Sequence, residues 1–426
     1  MAARMRLNVT SEIGRLKSVL VHLPGREIDV MVPPMMAQLL FDDILFGQVA
    51  REEHRRFQQL MRFVAKDLFD VQDLLEEIFD DEEVKREIVR DFVKRNNLSR
   101  RLASLLGEER PSALAEVLIG GIPREKQDSG ELPRFDLAPI PNYFFTRDPQ
   151  VVLGSGIVVC GMATRARRRE ALLSKYIFEH HPAFRDSCLF KVDFMASDGE
   201  RTSRKNSPTL EGGDLLVARD DLLIVGQTER TNGLAVKQLA KSLHEVNSGV
   251  KTVVVVELPK QRSFMHLDTV FTFTNTHECL IYPPVILPGG GQAAKVTTID
   301  LTKKSMSYSS QKSLLATLRR HGMDLDPIYC GGKNAIDQQR EQWTDGANAF
   351  TLAPGIVMLY ERNVRTAEEL SSHGYQIVYE DDLLLGRTEL EIWKKKKYAI
   401  QIQGHELSRA RGGPRCMTMP LERDDA

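Results

Sequence analysis

The chain has 426 residues, of which 42% are hydrophobic and 27% are charged, and its formal net charge at pH 7 is -1. This composition is typical of a globular protein, and the balanced charge gives no reason to expect nucleic acid or a membrane surface as a partner. The five cysteines are scattered without a C-x-x-C pair or a zinc-type cluster, and no apolar stretch suits a signal peptide or a membrane span. We therefore expect reduced thiols and a cytoplasmic location.

The first third of the chain predicts one strand followed by helices. Residues 17–22 form a short β-rich run that ends in a Leu-Pro-Gly turn. Over residues 48–125, apolar side chains recur every three or four positions among Glu, Lys and Arg. This periodicity predicts a bundle of amphipathic helices with a solvated, charged face.

Beyond residue 142 a different pattern repeats. Pairs of apolar runs separated by a turn lie at 151–160, 215–225, 269–282 and 349–360, and a helix-like stretch follows three of them. The strand near Val19 can complete a fifth unit with the last segments of the chain. Repeated units of one hairpin and one helix indicate a closed α/β array resembling a propeller. In such an array, the polar stretch before each hairpin would converge near the axis in one pocket.

The first chemical candidates lie in these polar stretches. Asp148 precedes a proline, which disfavours a helical conformation and predicts an extended residue at a strand entrance; a simple turn is the alternative. Glu211 and Asp214 flank two glycines before a strand. His266 and Asp268 alternate with apolar residues, so an extended strand would direct both to one face. A histidine that shares a face with an aspartate is a general acid–base candidate, whereas a lone one is more often structural.

Cys416 is the candidate nucleophile. It follows Gly412 and Gly413, which are predicted to supply turn conformations closed to other residues. The alternative is a buried structural cysteine after a turn. Nearby arginines are expected to make the surroundings electropositive and so to favour the thiolate: Arg409, Arg411 and Arg415.

The combination of a cysteine, a histidine and carboxylates limits the reactions that the pocket could catalyse. A Cys–His pair alone would suggest acyl transfer by a thiol amidase, which needs hydrogen-bond donors for an oxyanion. A pocket that adds the carboxylates of Asp148, Glu211 and Asp268 suits a planar cation instead. Guanidinium offers five N–H donors that carboxylates accept in pairs. We therefore expect a thiol enzyme that acts on a guanidine.

Several segments, in order along the chain, resemble the arginine deiminase family: LLFDDILF (39–46), PNYFFTRDPQ (141–150), LEGGD (210–214), MHLDTVFT (265–272) and RARGGPRCMTMPL (409–421). The resemblance implies the pentein fold, a five-bladed α/β propeller with pseudo-fivefold symmetry, here as a single catalytic domain over residues 1–426 with a helical bundle inserted at 48–125. It also implies hydrolysis of L-arginine to L-citrulline and ammonia, with no metal and no organic cofactor.

The resemblance assigns roles to individual residues. Cys416 would attack the guanidinium carbon to form an S-alkylthiouronium intermediate. His266 would act as acid and then as base. Asp148 and Asp268 would hold the guanidinium nitrogens, and Glu211 would support the substrate and His266. Arg167 and Arg230 would bind the α-carboxylate within a wider substrate-binding set: Asn142, Phe145, Arg167, Arg230 and Arg411.

Other functions remain open from the sequence. Within the same fold, the alternatives are a deiminase or amidinotransferase for another guanidine, such as agmatine or methylarginine. From different classes, they are a non-catalytic pentein that works as a binding module and a thiol amidase. The expected partners are the small-molecule substrate L-arginine and further copies of the chain in a homo-oligomer, a dimer or a tetramer, with no nucleic acid and no membrane.

Overall fold

The computed structural model describes residues 5–124, 135–195, 207–303, 305–394 and 396–425. Position 125, the end of the predicted bundle, and the chain ends at 1–4 and 426 lie outside the described residues. The strands are β1 (Leu16–Val21), β2 (Asp67–Asp70), β3 (Ile122–Pro123), β4 (Phe135–Leu137), β5 (Gln150–Leu153), β6 (Gly156–Val159), β7 (Lys191–Asp193), β8 (Leu215–Arg219), β9 (Leu222–Gln227), β10 (Thr252–Glu257), β11 (Phe271–Asn275), β12 (Glu278–Ile281), β13 (Lys295–Asp300), β14 (Ser307–Gln311), β15 (Asp326–Tyr329), β16 (Phe350–Ala353), β17 (Ile356–Tyr360), β18 (Gln376–Tyr379), β19 (Tyr398–Ile402) and β20 (Met419–Arg423).

The α-helices are distributed along the whole chain. They are α1 (Arg26–Asp29), α2 (Pro33–Leu39), α3 (Gly47–Met61), α4 (Val71–Phe79), α5 (Glu82–Asn96), α6 (Arg100–Glu108), α7 (Pro111–Gly120), α8 (Arg168–His180), α9 (Gly233–Glu245), α10 (Pro283–Ile286), α11 (Leu314–Arg320), α12 (Ala335–Trp343), α13 (Val364–Ser372) and α14 (Glu380–Leu384). Within the described ranges, no helix is both long and apolar enough to cross a lipid bilayer.

One arrangement recurs in five sheets of the described chain: two antiparallel strands, a helix, and a strand parallel to the second. It appears as β5–β6–α8–β7 and as β8–β9–α9–β10, which β13 and β14 extend. It recurs as β11–β12–α11–β15, and as β16–β17–α13–β18 with β19 inserted between the last two strands. The four predicted hairpins are therefore present in a mixed α/β fold.

The fifth sheet joins the two ends of the chain. β20 pairs antiparallel with β1, and β1 pairs parallel with β2 after the helix α3. The prediction that the strand near Val19 forms a unit with the last segments is confirmed. Because β20 begins at Met419, three residues after Cys416, this pairing fixes the candidate nucleophile beside the N-terminal strand.

The predicted helical stretch contains both helices and a strand. β2 lies within it and belongs to the sheet of β1, so α3 is the crossover of that unit. The helices α4 to α7 follow, and their apolar faces join a buried cluster that also contains α8 and the sheets of β5 and β8. Buried positions such as Leu74, Ile78 and Phe92 recur at helical spacing, which explains why this stretch forms helices that pack on the α/β body.

A buried charged group ties α4 to β1. The Asp70 carboxylate caps α4 by accepting from Gln72 N at 2.9 Å, and it also accepts from Leu23 N at 2.7 Å. Nδ1 of the fully buried His22 lies 3.4 Å from Asp70, and its Nε2 lies 3.3 Å from Glu27. Although burial opposes protonation, the two carboxylates raise the pKa of His22 to about 10. Its stabilising contribution is therefore complete below pH 6.5 and is lost as the pH rises through about 10.

The substitution Asp70→Ala tests this link. It removes a helix cap and leaves the buried His22 cation with one carboxylate, so we expect the free energy of unfolding to fall by about 3–5 kcal/mol. Asp81→Ala is the matched control, because Asp81 caps α5 at the exposed surface through Glu83 N and Val84 N. Its loss should cost about 1 kcal/mol. Urea unfolding of both variants is the measurement, and equal losses would contradict the link.

Candidate functional site

Nine of the ten predicted site residues line one buried cavity. The cavity has a volume of about 30 Å³, which is room for one or two water molecules. The tenth residue, Asp268, is fully buried behind the lining, and its Oδ2 lies 3.9 Å from the Cys416 sulfur. The full lining is Leu40, Asn142, Phe145, Asp148, Arg167, Glu211, Arg230, Arg262, Met265, His266, Thr269, Ala410, Arg411 and Cys416.

The loop that carries Cys416 is clamped by an asparagine. The Asn348 side chain accepts from Cys416 N at 3.1 Å and donates to the Asp268 carbonyl at 3.2 Å. A Cβ on Gly413 would lie 2.7 Å from the Asn348 carbonyl oxygen, and one on Gly412 would lie 2.2 Å from the Phe145 ring. These two glycines are thus required for close approach. The turn conformation predicted for them falls instead on Arg411, whose φ is 67°.

The charges around the Cys416 sulfur are mainly negative. The prediction that neighbouring arginines favour the thiolate is therefore wrong. Burial and the nearby carboxylates of Asp268 and Asp148 raise the pKa of Cys416 well above the usual value for a thiol. The free chain therefore holds a neutral thiol at physiological pH.

The three arginines near Cys416 do not favour the thiolate because their own partners engage them. Arg415 donates to Asp268 at 2.7 Å and to Glu12 at 3.1 and 3.2 Å. Arg409 pairs with Asp43 at 2.9 Å and with Glu406 at 2.8 Å. The guanidinium of Arg411 lies 3.5 Å above the centre of the Trp343 ring.

His266 forms an ion pair with a buried carboxylate. Its Nε2 donates to Glu211 Oε2 at 2.8 Å, and its Nδ1 lies 3.6 Å from Asp148 Oδ1. Burial disfavours the imidazolium, but Asp148 and Glu211 outweigh it and raise the pKa of His266 to about 9. In turn, although burial acts in the opposite direction, the imidazolium lowers the pKa of Glu211 to about 2. At neutral pH the pair is therefore charged.

The backbone around His266 differs from the prediction. Its φ of -134° and ψ of 159° are extended, but a 3-10 helix over Leu267–Thr269 follows at once, and the strand β11 starts only at Phe271. The strand alternation expected for His266 and Asp268 is therefore wrong. The two side chains nevertheless reach the same site, because the tight helical turn places Asp268 under the Cys416 loop.

Two residues of the EGGD segment support the imidazole. A Cβ on Gly213 would lie 2.6 Å from His266 Nδ1, so the ring packs directly on the glycine backbone. The buried Asp214 accepts from Leu267 N at 2.8 Å and from the Thr228 hydroxyl at 2.8 Å. The chain that carries His266 is thereby fixed against the start of β8.

Arg167 is already paired with carboxylates. Its Nη1 donates to Asp148 Oδ2 at 2.6 Å, and its Nε and Nη2 donate to Glu170 at 2.7–3.1 Å. Nη2 also lies 3.3 Å from the Asn142 carbonyl oxygen. Arg230 differs, because no described carboxylate pairs with it and its buried Nε has no hydrogen-bond partner. Of the two predicted carboxylate-binding arginines, only Arg230 is free to bind an anion without giving up an ion pair.

One group of side chains has the spacing of a metal site. Single ligand atoms of Asp148, Glu211 and His266 lie within 4.8 Å of one another. Arg167 Nη1 occupies the same space, at 2.6 Å from Asp148 and 3.9 Å from Glu211, and His266 carries its own positive charge. A divalent cation would have to displace two cations, so the arrangement fits an organic cation held by hydrogen bonds better than a metal.

Sequence reasoning missed three residues of the site: Glu170, Asn348 and Glu12. Glu170 is one helical turn from Arg167, and an acidic residue at i+3 from a proposed ligand was a usable signal. Asn348 directly follows the polar stretch before the fourth hairpin. Glu12 had no such signal, because its pairing with Arg415 depends on the N-terminal segment packing against the last strand.

The resting state of Cys416 can be measured directly. Thiolate absorbance at 240 nm, taken as the difference between the wild type and Cys416→Ser, should be absent at pH 7 and still rising above pH 9, because burial and carboxylates raise the pKa of this thiol. A difference spectrum that titrates below pH 8 would contradict the electrostatics of the site.

The packing of His266 on Gly213 gives a second test. Gly213→Ala should push the imidazole off Glu211, so that the pKa of His266 falls from about 9 toward 6.5. The histidine ring protons, followed by NMR across pH, report this change. Gly107→Ala is the control, since a Cβ there has no neighbour within 4 Å. An unshifted His266 resonance in Gly213→Ala would show that the glycine contact does not hold the ring.

Comparison with known proteins agrees with the geometry. The family model described as arginine deiminase matches residues 37–423. An arginine deiminase of Streptococcus pyogenes is 34% identical over an alignment of 448 positions that covers 100% of both chains. One of Streptococcus agalactiae is 34% identical over 442 positions that cover 98% of each chain.

Solved structures show the same fold at lower sequence identity. SxtG, an amidinotransferase from Microseira wollei, has a TM-score of 0.53 and 12% identity, with 99% of this chain and 98% of that chain covered. The N-terminal domain of ArgZ, an arginine dihydrolase from cyanobacteria, has a TM-score of 0.51 and 15% identity, with 95% and 97% covered. These neighbours share the mixed α/β fold of this chain.

Proposed function

The chain belongs to the arginine deiminase family, and on that premise we propose that it hydrolyses L-arginine to L-citrulline and ammonia through a covalent intermediate on Cys416. The observation that carries the mechanism is the position of the sulfur, 3.9 Å from Asp268 in the wall of a cavity that also holds the His266–Glu211 ion pair. A guanidinium held by these carboxylates would lie against the sulfur.

The carboxylates keep acceptor capacity for such a cation. Asp148 Oδ1 and Asp268 Oδ1 are buried and have no hydrogen-bond partner. Buried carboxylate oxygens without donors are unfavourable, and the N–H groups of a guanidinium would satisfy them. In the proposed complex, Asp148 and Asp268 therefore hold the guanidinium nitrogens, while Glu211 stays with His266 and faces the substrate.

Binding of the cation prepares the nucleophile. The thiol of Cys416 is neutral among carboxylates, and a positive charge against the sulfur lowers its pKa, so that the proton leaves to solvent. The thiolate then attacks the guanidinium carbon and forms a tetrahedral adduct. His266 is charged, so it can donate its proton to one amino group, which departs as ammonia. The S-alkylthiouronium remains on Cys416.

Hydrolysis completes the cycle. His266, now neutral, accepts a proton from a water molecule that attacks the same carbon. Collapse of the second adduct breaks the C–S bond, whose electron pair leaves with the Cys416 sulfur. The hydroxyl proton of the adduct passes to this sulfur, which restores the neutral thiol and leaves the urea group of citrulline. Glu211 keeps His266 oriented through the 2.8 Å hydrogen bond in both steps.

The α-carboxylate determines the choice among guanidines. Arg230 is buried, unpaired with any described carboxylate and part of the cavity wall, which suits it to bind this group. Asn142, Phe145 and Arg411 complete the proposed substrate-binding set, and Arg167 contributes once it leaves Asp148. Because agmatine lacks the carboxylate, it is a poorer fit than arginine.

We also propose the arrangement of the sheets, the assembly state and the cellular location of the enzyme. We take the five repeated sheets to form a five-bladed propeller with pseudo-fivefold symmetry, as a single catalytic domain over 1–426. Of the predicted 48–125 insertion, α3 and β2 belong to the sheet of β1, and the helices α4 to α7 remain as the inserted bundle. We further propose that the enzyme needs no metal or organic cofactor, binds no nucleic acid, works in the cytoplasm and forms a homo-oligomer, a dimer or a tetramer.

Citrulline release is the direct test of the function. Wild-type protein should convert L-arginine to citrulline and ammonia in equal amounts, and Cys416→Ser should lower kcat at least about a thousandfold because no covalent intermediate forms. Cys188→Ser is the matched control, since Cys188 is half-buried and does not line the cavity, and it should keep wild-type activity. Turnover of glutamine, or of agmatine in preference to arginine, would instead favour a thiol amidase or another guanidine hydrolase.

A further inference from the structure

Arg167 is bound to Asp148, one of the two carboxylates proposed to bind the guanidinium of the substrate. Its guanidinium donates to Asp148 Oδ2 at 2.6 Å and lies 3.9 Å from Glu211, so a cation of the same chemical type as the substrate's head group already lies in the guanidine part of the cavity. The remaining volume of about 30 Å³ is too small for an arginine molecule. A guanidine that enters must therefore break the Arg167–Asp148 ion pair.

We propose that this ion pair is a specificity filter, because only a substrate with an α-carboxylate offers Arg167 a new anion when it releases Asp148. The inference rests on the proposed function and deepens it. When a guanidine without a carboxylate binds, the buried Arg167–Asp148 ion pair is broken and nothing replaces Asp148 as a partner of Arg167, which is unfavourable. A guanidine with a carboxylate replaces the lost partner.

Glu170 makes the exchange possible without loss of Arg167 from the wall. It is almost fully buried, and it accepts from both Nε and Nη2 of Arg167 at 2.7–3.1 Å. This leaves Nη1 as the nitrogen bonded to Asp148. When Nη1 is released, the other side of the guanidinium stays bound to Glu170. We thus assign Glu170 as a positioning residue that retains Arg167 during substrate entry.

Arg230 provides the contrast within the same cavity. It is buried to a similar degree, at 5% exposure against 6% for Arg167, but it makes no ion pair with a described carboxylate. Its removal should weaken binding of the α-carboxylate and leave Asp148 unchanged. For a ligand that carries a guanidinium and no carboxylate, replacement of Arg167 should therefore strengthen binding, whereas replacement of Arg230 should leave it unchanged.

The experiment measures binding of two ligands by titration calorimetry. The ligands are L-arginine and n-butylguanidine, which has the guanidinium and an alkyl chain but neither carboxylate nor amine. All proteins carry Cys416→Ser so that arginine is not consumed. Adding Arg167→Gln should strengthen butylguanidine binding at least about tenfold, because Asp148 is freed, and should weaken arginine binding. Adding Arg230→Gln should weaken arginine binding and leave butylguanidine unchanged.

Glu170→Gln distinguishes the proposed specificity filter from a general contribution of Arg167 and Glu170 to folding. Without the second carboxylate, Arg167 holds Asp148 more strongly, so butylguanidine should bind several-fold more weakly, opposite to the effect of Arg167→Gln. If Arg167→Gln does not fold because Glu170 is left as an unpaired buried charge, the double substitution Arg167→Gln with Glu170→Gln removes both charges and should also strengthen butylguanidine binding.

Two results would contradict the proposal that the Arg167–Asp148 ion pair is a specificity filter. One is butylguanidine binding that is unchanged or weaker when Arg167 is replaced, and the other is an equal gain in Arg230→Gln, which would indicate a general loosening of the cavity. Citrulline release by the wild type is scored separately, so failure of the filter and failure of the deiminase proposal are distinguishable.

Discussion

The site depends on the pairing of buried carboxylates with cations. Carboxylates removed from water are tolerated only when opposite charges and hydrogen-bond donors compensate them. Asp268 is paired with Arg415, Glu211 with the imidazolium of His266, and Asp148 with Arg167. Because the three pairs join residues 147, 55 and 19 positions apart, the charges also fix the relative positions of the segments that form the cavity. The oxygens of Asp148 and Asp268 that remain without donors are where an incoming guanidinium would complete the pairing.

The same charge balance explains why the nucleophile is inactive until a cation arrives. A sulfur beside carboxylates and away from water favours the neutral thiol, and burial is the main reason that the pKa of Cys416 lies well above its usual value. A bound guanidinium reverses the local field, so formation of the thiolate is coupled to occupation of the site. A neutral amide would not have this effect, which separates the site from that of a thiol amidase. The imidazolium of His266 completes the arrangement, because it carries the proton that departing ammonia requires.

Periodicity and local motifs were sufficient to predict the hairpins, most of the helices and the reactive groups of the site, namely Cys416, His266 and the carboxylates. The remaining substrate-binding residues followed from the resemblance to the arginine deiminase family. Periodicity and local motifs were sufficient because hairpins and helices depend on neighbours in sequence, and the repeated order of elements places equivalent ends together. They failed where a contact between distant segments decides the outcome. The pairing of Arg415 with Glu12 and Asp268 made the surroundings of Cys416 negative instead of positive. The tight turn over Leu267–Thr269 replaced an expected strand, and the steric demand of Phe145 and Asn348 explains Gly412 and Gly413 better than turn conformation does.

The central claim is that a guanidine carbon becomes bonded to Cys416. Acid quenching of the wild-type protein during its first turnover of L-arginine, followed by peptide mass spectrometry, measures this most directly. The peptide that contains Cys416 should gain the mass of arginine less ammonia, and the modification should disappear as citrulline is released. An unmodified Cys416 peptide throughout the first turnover, or the same mass on another residue, would contradict the account.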